Sequence, residues 1–124
     1  MGLDRTIRFA APQVPSWESI RDELDRIGIA APLRMIDGLP AFPDETPDAA
    51  WKELRIGFPA GMVTLRRGPN HLSCVVWGNA GPPLKQAWDA LCWACAAAGG
   101  GTLDFPEGPL SAEAFGHSVG LLPS

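Results

Sequence analysis

The sequence predicts an α+β fold: a two-layer sandwich in which two helices cover one face of a mostly antiparallel sheet. Two segments repeat apolar residues at helical spacing, several short segments alternate apolar and polar residues, and tight turns join neighbouring strands. The chain has 124 residues, of which 46% are hydrophobic. That size and composition fit one domain with its own core, so we predict a single domain over residues 1–124.

Both helices are predicted from an apolar stripe with a start and a stop signal. In "PSWESIRDELDRIG", Ser16 can cap the helix and Gly28 can close it. The stripe between them consists of Trp17, Ile20, Leu24 and Ile27. The second helix runs through "LKQAWDALCWACAAAGG", with two prolines before it and "GGG" at residues 99–101 after it.

The strands are predicted from alternation and from turn residues. The alternating segments are "TIRFA", "KELRIGF", "MVTLRR" and "HLSCVVW", and "TLDF" gives a short last strand. "LRMIDGLPAF" reads as a hairpin around Asp37-Gly38, with Pro40 restricting its second strand to an edge. "PDETPDAA" is an acidic connector with room for one helical turn at Thr46-Pro47. From about residue 106 we predict an irregular tail, with room for a short helix from Ser111.

The order of these elements is strand, helix, several antiparallel strands, helix, strand. The nearest common plan is the split βαβ, ferredoxin-like sandwich, here with an added hairpin in the middle.

Charge and composition exclude some classes of function. The net charge of -4 makes a nucleic-acid partner unlikely, because such proteins usually carry a basic surface. No apolar run approaches the roughly 20 residues that span a bilayer, and the N-terminus lacks the apolar run of a signal peptide. Three cysteines in such a chain favour free thiols in a reducing, bacterial cytoplasm. We therefore expect a cytoplasmic protein with no membrane association.

The spacing of His71, Cys74, Cys92 and Cys95 resembles that of a four-ligand zinc site. Two features favour a structural role for the cysteines instead. His71 and Cys74 lie three apart on a predicted strand, so they point to opposite faces. Cys92 and Cys95 fall on the apolar stripe of the second helix, where a free cysteine packs as a small hydrophobic residue. We interpret the cysteines as core residues and keep zinc as the alternative.

Sequence patterns of known catalytic sites are missing. There is no phosphate-binding glycine loop before a helix and no G-x-S-x-G, and no third group orients a nucleophile near His71, Ser73 and Cys74. We therefore predict no cofactor and favour a protein without enzymatic activity, with an enzyme as the alternative.

Alternation predicts a second, helix-free face of the sheet. Ile7, Leu54 and Cys74 turn towards the helices, so their neighbours in sequence turn away. We hypothesise that Arg8, Arg55, Arg66 and Trp77 on this face bind a partner or an anion. A solvated face with ordinary ion pairs is the alternative.

Trp93 is a second candidate contact. It lies about 180° around the second helix from Leu84, among the polar positions Lys85, Gln86 and Asp89. Tryptophan is enriched at interfaces, which suggests a contact with a partner or a second copy. Coverage by the hairpin at residues 33–42 or by the C-terminal tail is the other explanation.

Residues 87–108, "AWDALCWACAAAGGGTLDFPEG", resemble the close of several small bacterial α+β proteins, some of them of the immunity type that neutralises polymorphic toxins. An alanine-rich helix there runs into Gly-Gly, a short strand, and then Asp, Pro and Glu-Gly. The resemblance implies a non-catalytic, cytoplasmic binding protein. Two classes of function remain: a protein-interaction domain, either immunity-type or homodimeric, and a small-molecule or anion-binding domain, with or without catalysis, on the open face.

Overall fold

One antiparallel sheet organises the chain in the computed structural model, which describes residues 2–10, 14–77 and 81–121. In that part of the chain the fold is α+β, with eight strands in an open sheet and three helices. In chain order the elements are β1 (Leu3–Arg8), α1 (Trp17–Arg26), β2 (Leu33–Ile36), β3 (Leu39–Pro40), β4 (Glu53–Phe58), β5 (Gly61–Arg67), β6 (His71–Val76), α2 (Pro82–Gly99), β7 (Thr102–Leu103), β8 (Leu110–Ser111) and α3 (Ala112–Ser118).

The strand order across the sheet is β3-β2-β4-β5-β6-β1-β7-β8, and every neighbouring pair is antiparallel. β1 opens the chain but lies inside the sheet, between β6 and β7. The two edge strands, β3 and β8, have only two residues each. Such short edges leave little unpaired backbone for another chain to join.

The first predicted helix is confirmed with its capping residues. The Ser16 hydroxyl accepts the backbone N–H of Ser19 at 3.2 Å, and Gly28 follows the helix with a φ of 77°. Trp17, Ile20 and Leu24 are buried on one side of α1. The predicted stripe therefore faces the core.

The predicted hairpin is also confirmed, because Asp37 and Gly38 adopt φ angles of 51° and 83°. The Asp37 carboxylate accepts the backbone N–H groups of Lys52 and Glu53 at 2.7 and 2.9 Å, which lowers the pKa of that carboxyl. The helical turn predicted at Thr46-Pro47 is wrong. That segment is non-helical, and the backbone hydrogen bonds of the connector are short turns, from Glu45 to Phe42 and from Trp51 to Asp48.

The helical layer has a third member that the two-helix prediction lacks. α3 and β8 form within the region predicted to be an irregular tail. Ser111 caps α3 by accepting the backbone N–H of Ala114 at 3.1 Å, and Phe115 is buried against the core. The short helix for which the sequence left room from Ser111 is therefore present, and Phe115 anchors it by stacking on Phe105.

α2 is the central helix, and it packs against α1, α3 and the strands β1, β5, β6 and β7. Prolines occupy its first turn, and Gly100 ends it in the left-handed region with a φ of 64°. None of the helices in the described ranges is long and apolar enough to cross a membrane.

Candidate partner-binding face

The register of the sheet sorts its side chains into two faces. Leu54, Leu65 and Cys74 lie side by side on β4, β5 and β6 and are fully buried beneath the helices. The residues between them point the other way, where no described helix packs. We call this second surface the open face; its central residues are Glu53, Arg55, Met62, Thr64, Arg66, Ser73, Val75 and Trp77.

Trp77 is the most prominent side chain of the open face. It is 53% exposed, although Gly2 and Arg66 lie against its ring. A Cβ atom on Gly2 would lie 2.8 Å from the ring, so only glycine lets the indole approach β1 this closely. The Arg66 guanidinium carbon lies 5.6 Å from the ring centroid, within the range of a cation–π contact. The exposed indole is therefore pre-positioned.

Met62 extends the apolar surface around Trp77. The register pairs Thr64 with Val75, and two residues further along it places Met62 opposite Trp77. Met62 is 45% exposed, while Thr64 and Val75 are buried beneath the larger side chains. The open face thus presents an exposed tryptophan and methionine at the end where β5 begins and β6 has just ended.

The arginines beside Trp77 and Met62 share one carboxylate. Arg66 Nε donates to Glu53 Oε2 at 3.1 Å, and Arg55 Nε lies 3.7 Å from Glu53 Oε1. The Arg55 Nε–H group is buried and has no acceptor among the described residues. Two guanidinium groups against one carboxylate leave this part of the face positively charged.

Arg8 lies on the open face but far from Trp77. Its Nε donates to Asp104 Oδ2 at 2.6 Å, and it stands opposite His71 on β6. Trp77 is six residues further along from His71, a distance of about 20 Å in an extended strand. The structure therefore groups Arg55, Arg66 and Trp77 and leaves Arg8 at the other end.

Trp93 has to be removed from the candidate surface. It is only 7% exposed within the single chain, so it is not available to a partner. The polar side on which helical geometry placed it is not a solvent face: Asp89 from that side pairs with Arg5 of the sheet, and α2 is buried all round from Ala90 to Ala96. Trp93 is therefore covered within its own chain, where α2 packs against α1, α3 and four strands.

His71 lies apart from the other three possible zinc ligands, whereas the Cys74 thiol lies within hydrogen-bonding reach of Cys92 and Cys95. His71 belongs to the open face, while Cys74, Cys92 and Cys95 are fully buried on the core side. Alternation along β6 separates His71 from Cys74, as their spacing predicts. Within the described ranges, no group of three or more His, Cys, Asp or Glu residues could hold a metal ion.

Sequence analysis missed two features around this site. Arg5 turns towards the helices and forms an ion pair with Asp89 of α2. Alternation with Ile7 and Phe9 would have placed Arg5 on the helix side. Arg5 lay outside the predicted strand, however, because β1 begins three residues earlier than predicted. Met62 was not selected either, because its pairing with Trp77 depends on the register of two strands.

The open face has to be interpreted from its own residues and geometry. No protein-family model, curated protein or solved structure matches this chain.

Proposed function

We propose that this protein is a non-enzymatic binding domain that holds an acidic partner protein against its open face. The observation that carries the proposal is the half-exposed indole of Trp77, fixed between Gly2 and Arg66 and extended by Met62. Tryptophan, arginine and methionine are enriched in protein interfaces, and tryptophan and arginine dominate binding hot spots. A rigid aromatic side chain also loses little conformational entropy on binding.

We call Trp77, Met62 and the arginines beside them the patch. Its charge supports an acidic partner. The chain as a whole carries a net charge of -4. The patch has the opposite balance: Arg55 and Arg66 face Glu53, and the side chain of Arg34 lies over Gly57, the residue paired with Met62. With the exposed Asp4 on β1 included, three guanidinium groups stand against two carboxylates. Complementary charge would guide and select the partner.

A second copy of the chain fits this surface less well. Self-association through the patch would bring guanidinium groups towards each other, which is unfavourable. Pairing through the sheet edges is hindered, since both edge strands have two residues and Pro40 lies in one of them. These features favour a different protein over a homodimer.

A small anion is the weaker alternative for the open face. Arg8 and Arg66 already bind carboxylates of the chain, and the patch is a sheet surface instead of a cleft. Ligand sites are usually concave and bury most of the ligand. An immunity-type role in the cytoplasm, which the resemblance of residues 87–108 implies, is one form that binding of a protein partner could take.

We also propose that the centre of the fold follows the ferredoxin-like plan. Support comes from the order β7-β1-β6-β5. In this order β1 lies between β6, the strand that precedes α2, and β7, the strand that follows α2. The hairpin β2–β3 and strand β4 then extend the sheet beyond β5, and β8 and α3 extend the fold at the other end.

The test is affinity capture from the native host, followed by titration of the purified captured protein. Trp77→Ala should weaken binding at least about 30-fold, the effect of losing a hot-spot tryptophan. Arg66→Ala should weaken binding and reduce its dependence on salt. Phe42→Ala and Lys85→Ala are matched controls, because Phe42 is an exposed aromatic residue beyond the edge strand and Lys85 an exposed cation on α2.

The two controls should bind like the unchanged chain. Equal affinity for all five proteins would contradict the proposal. So would self-association of the unchanged chain that Trp77→Ala abolishes in sedimentation experiments, because the occupant would then be a second copy.

A further inference from the structure

We infer that a cleft on the helix side of the sheet, separate from the open face, binds a small organic carboxylate with an apolar body. The cleft has a volume of about 800 Å³, within the usual range for ligand sites. Three segments form it: residues 14–18 at the start of α1, residues 46–52 before β4, and residues 67–69 after β5. Val14, Pro15, Pro47 and Pro69 give it apolar walls.

Arg67 is positioned to hold the carboxylate. Its guanidinium carbon lies 4.8 Å from the ring centroid of Trp51, and its Nη1 donates to the carbonyl of Ala49 at 2.7 Å. Among the described residues no carboxylate forms an ion pair with it, so most of its N–H donors are available. An arginine held by a ring and a backbone carbonyl is pre-organised for bidentate binding of a carboxylate.

Trp17 adds an unpartnered donor beside the wall of the cleft. This residue lines the cleft and is 1% exposed, and its Nε1–H group has no acceptor among the described residues. A buried donor without a partner is unfavourable by about 1–3 kcal/mol. The donor is closed off from solvent, so a ligand oxygen could satisfy it only after neighbouring side chains shift.

The remaining charges of the cleft favour a single carboxylate over a multiply charged anion. Lys52 and the N-terminal end of α1 add positive potential. Glu18 and Asp48 also line the cleft and oppose it, although the Asp48 carboxylate accepts the backbone N–H of Ala50 at 2.9 Å. Glu18 and Asp48 balance Lys52 and Arg67, and Asp37 interacts with both of these cations, so the cleft has no excess charge for a multiply charged anion.

The test uses benzoate as the probe and benzyl alcohol as its neutral counterpart. We expect benzoate to shift the Trp17 indole N–H signal in NMR spectra of the ¹⁵N-labelled chain, with backbone shifts confined to the three segments of the cleft. The signal is assigned with Trp17→Phe. Benzyl alcohol should bind more weakly.

Arg67→Ala should weaken benzoate binding about tenfold or more, the effect of losing a charge-assisted hydrogen bond. Arg66→Ala is the matched control, since the preceding residue points to the open face, and it should leave benzoate binding unchanged. Lys52→Ala gives a second test on an exposed side chain, with a smaller loss expected.

The proposal is overturned if millimolar benzoate shifts no signal from the cleft, if benzyl alcohol binds equally well, or if neither Arg67→Ala nor Lys52→Ala weakens binding. It is independent of the proposed function, because Arg66→Ala should weaken only the binding of the partner protein. Arg67→Ala should weaken only the binding of the carboxylate.

Discussion

Replacing Arg5 by methionine should lower the free energy of unfolding by about 3 kcal/mol. The guanidinium carbon of Arg5 lies 3.8 Å from the ring centroid of Trp88 and 5.1 Å from that of Phe115, and the group forms an ion pair with Asp89. The side chains of Arg5 and Asp89 are each 20% exposed. Methionine keeps much of the packing volume, but it leaves a mostly buried carboxylate without its cation.

Arg8→Met is the matched control on the same strand. The ion pair of Arg8 with Asp104 is largely exposed, so its loss should change stability by less than about 1 kcal/mol. Urea denaturation of both variants measures the difference. In the double variant R5M/D89N stability should recover in part, because the carboxylate is also removed. Equal stability of R5M and R8M would show that Arg5 does not join β1 to α2 and α3.

The three thiols should react with iodoacetamide at least about a thousandfold more slowly in the native protein than in urea at pH 8. All three are fully buried, so reaction requires the core to open. Burial also raises the pKa of the Cys74 and Cys92 thiols well above the ordinary value of 9.0. Fast alkylation of the native protein would contradict a structural role for the cysteines.

The raised pKa values also predict the pH dependence of stability. Below pH 9 these thiols are neutral in the folded and the unfolded chain, and their full contribution is present. Above pH 9 the unfolded thiols ionise while the folded ones stay neutral, so stability falls by about 1.4 kcal/mol per pH unit for each thiol until the folded pKa is reached. The chain has no tyrosine and only two lysines, so few other groups titrate there.

Urea midpoints at pH 7 and pH 10 measure this loss. The double variant Cys74→Ala, Cys92→Ala should lose less stability between the two pH values, even though removal of the buried groups lowers its stability at pH 7. An unchanged pH dependence in that variant would assign the alkaline loss to other groups.

Local patterns predicted the elements and the two faces of the sheet. Alternation along β4, β5 and β6 placed Arg55, Arg66 and Trp77 on one side, because in a strand the face depends only on position. Ser16 and the Asp37-Gly38 turn were predictable for the same reason, since capping residues and tight turns act on their immediate neighbours.

Features that depend on contacts between distant segments could not be predicted. Trp93 was expected among exposed polar positions of α2, but the second half of this helix is buried all round, because α2 packs against two other helices and four strands. The cleft at Arg67 is assembled from three separate segments, none of which carries a motif of its own. Alternation could have placed Arg5 on the helix side, but not its contact with Asp89, which joins the first strand to a residue 84 positions away.

The most direct test of the proposed interface is an NMR titration of the captured partner into a chain labelled at its methionine methyl groups and its tryptophan indoles. The open-face proposal predicts that the signals of Met62 and Trp77 shift or broaden, while those of Trp51 and Trp93, buried on the helix side, change little. A partner that binds tightly yet leaves Met62 and Trp77 unchanged would contradict the proposal and place the interface on another surface of the protein.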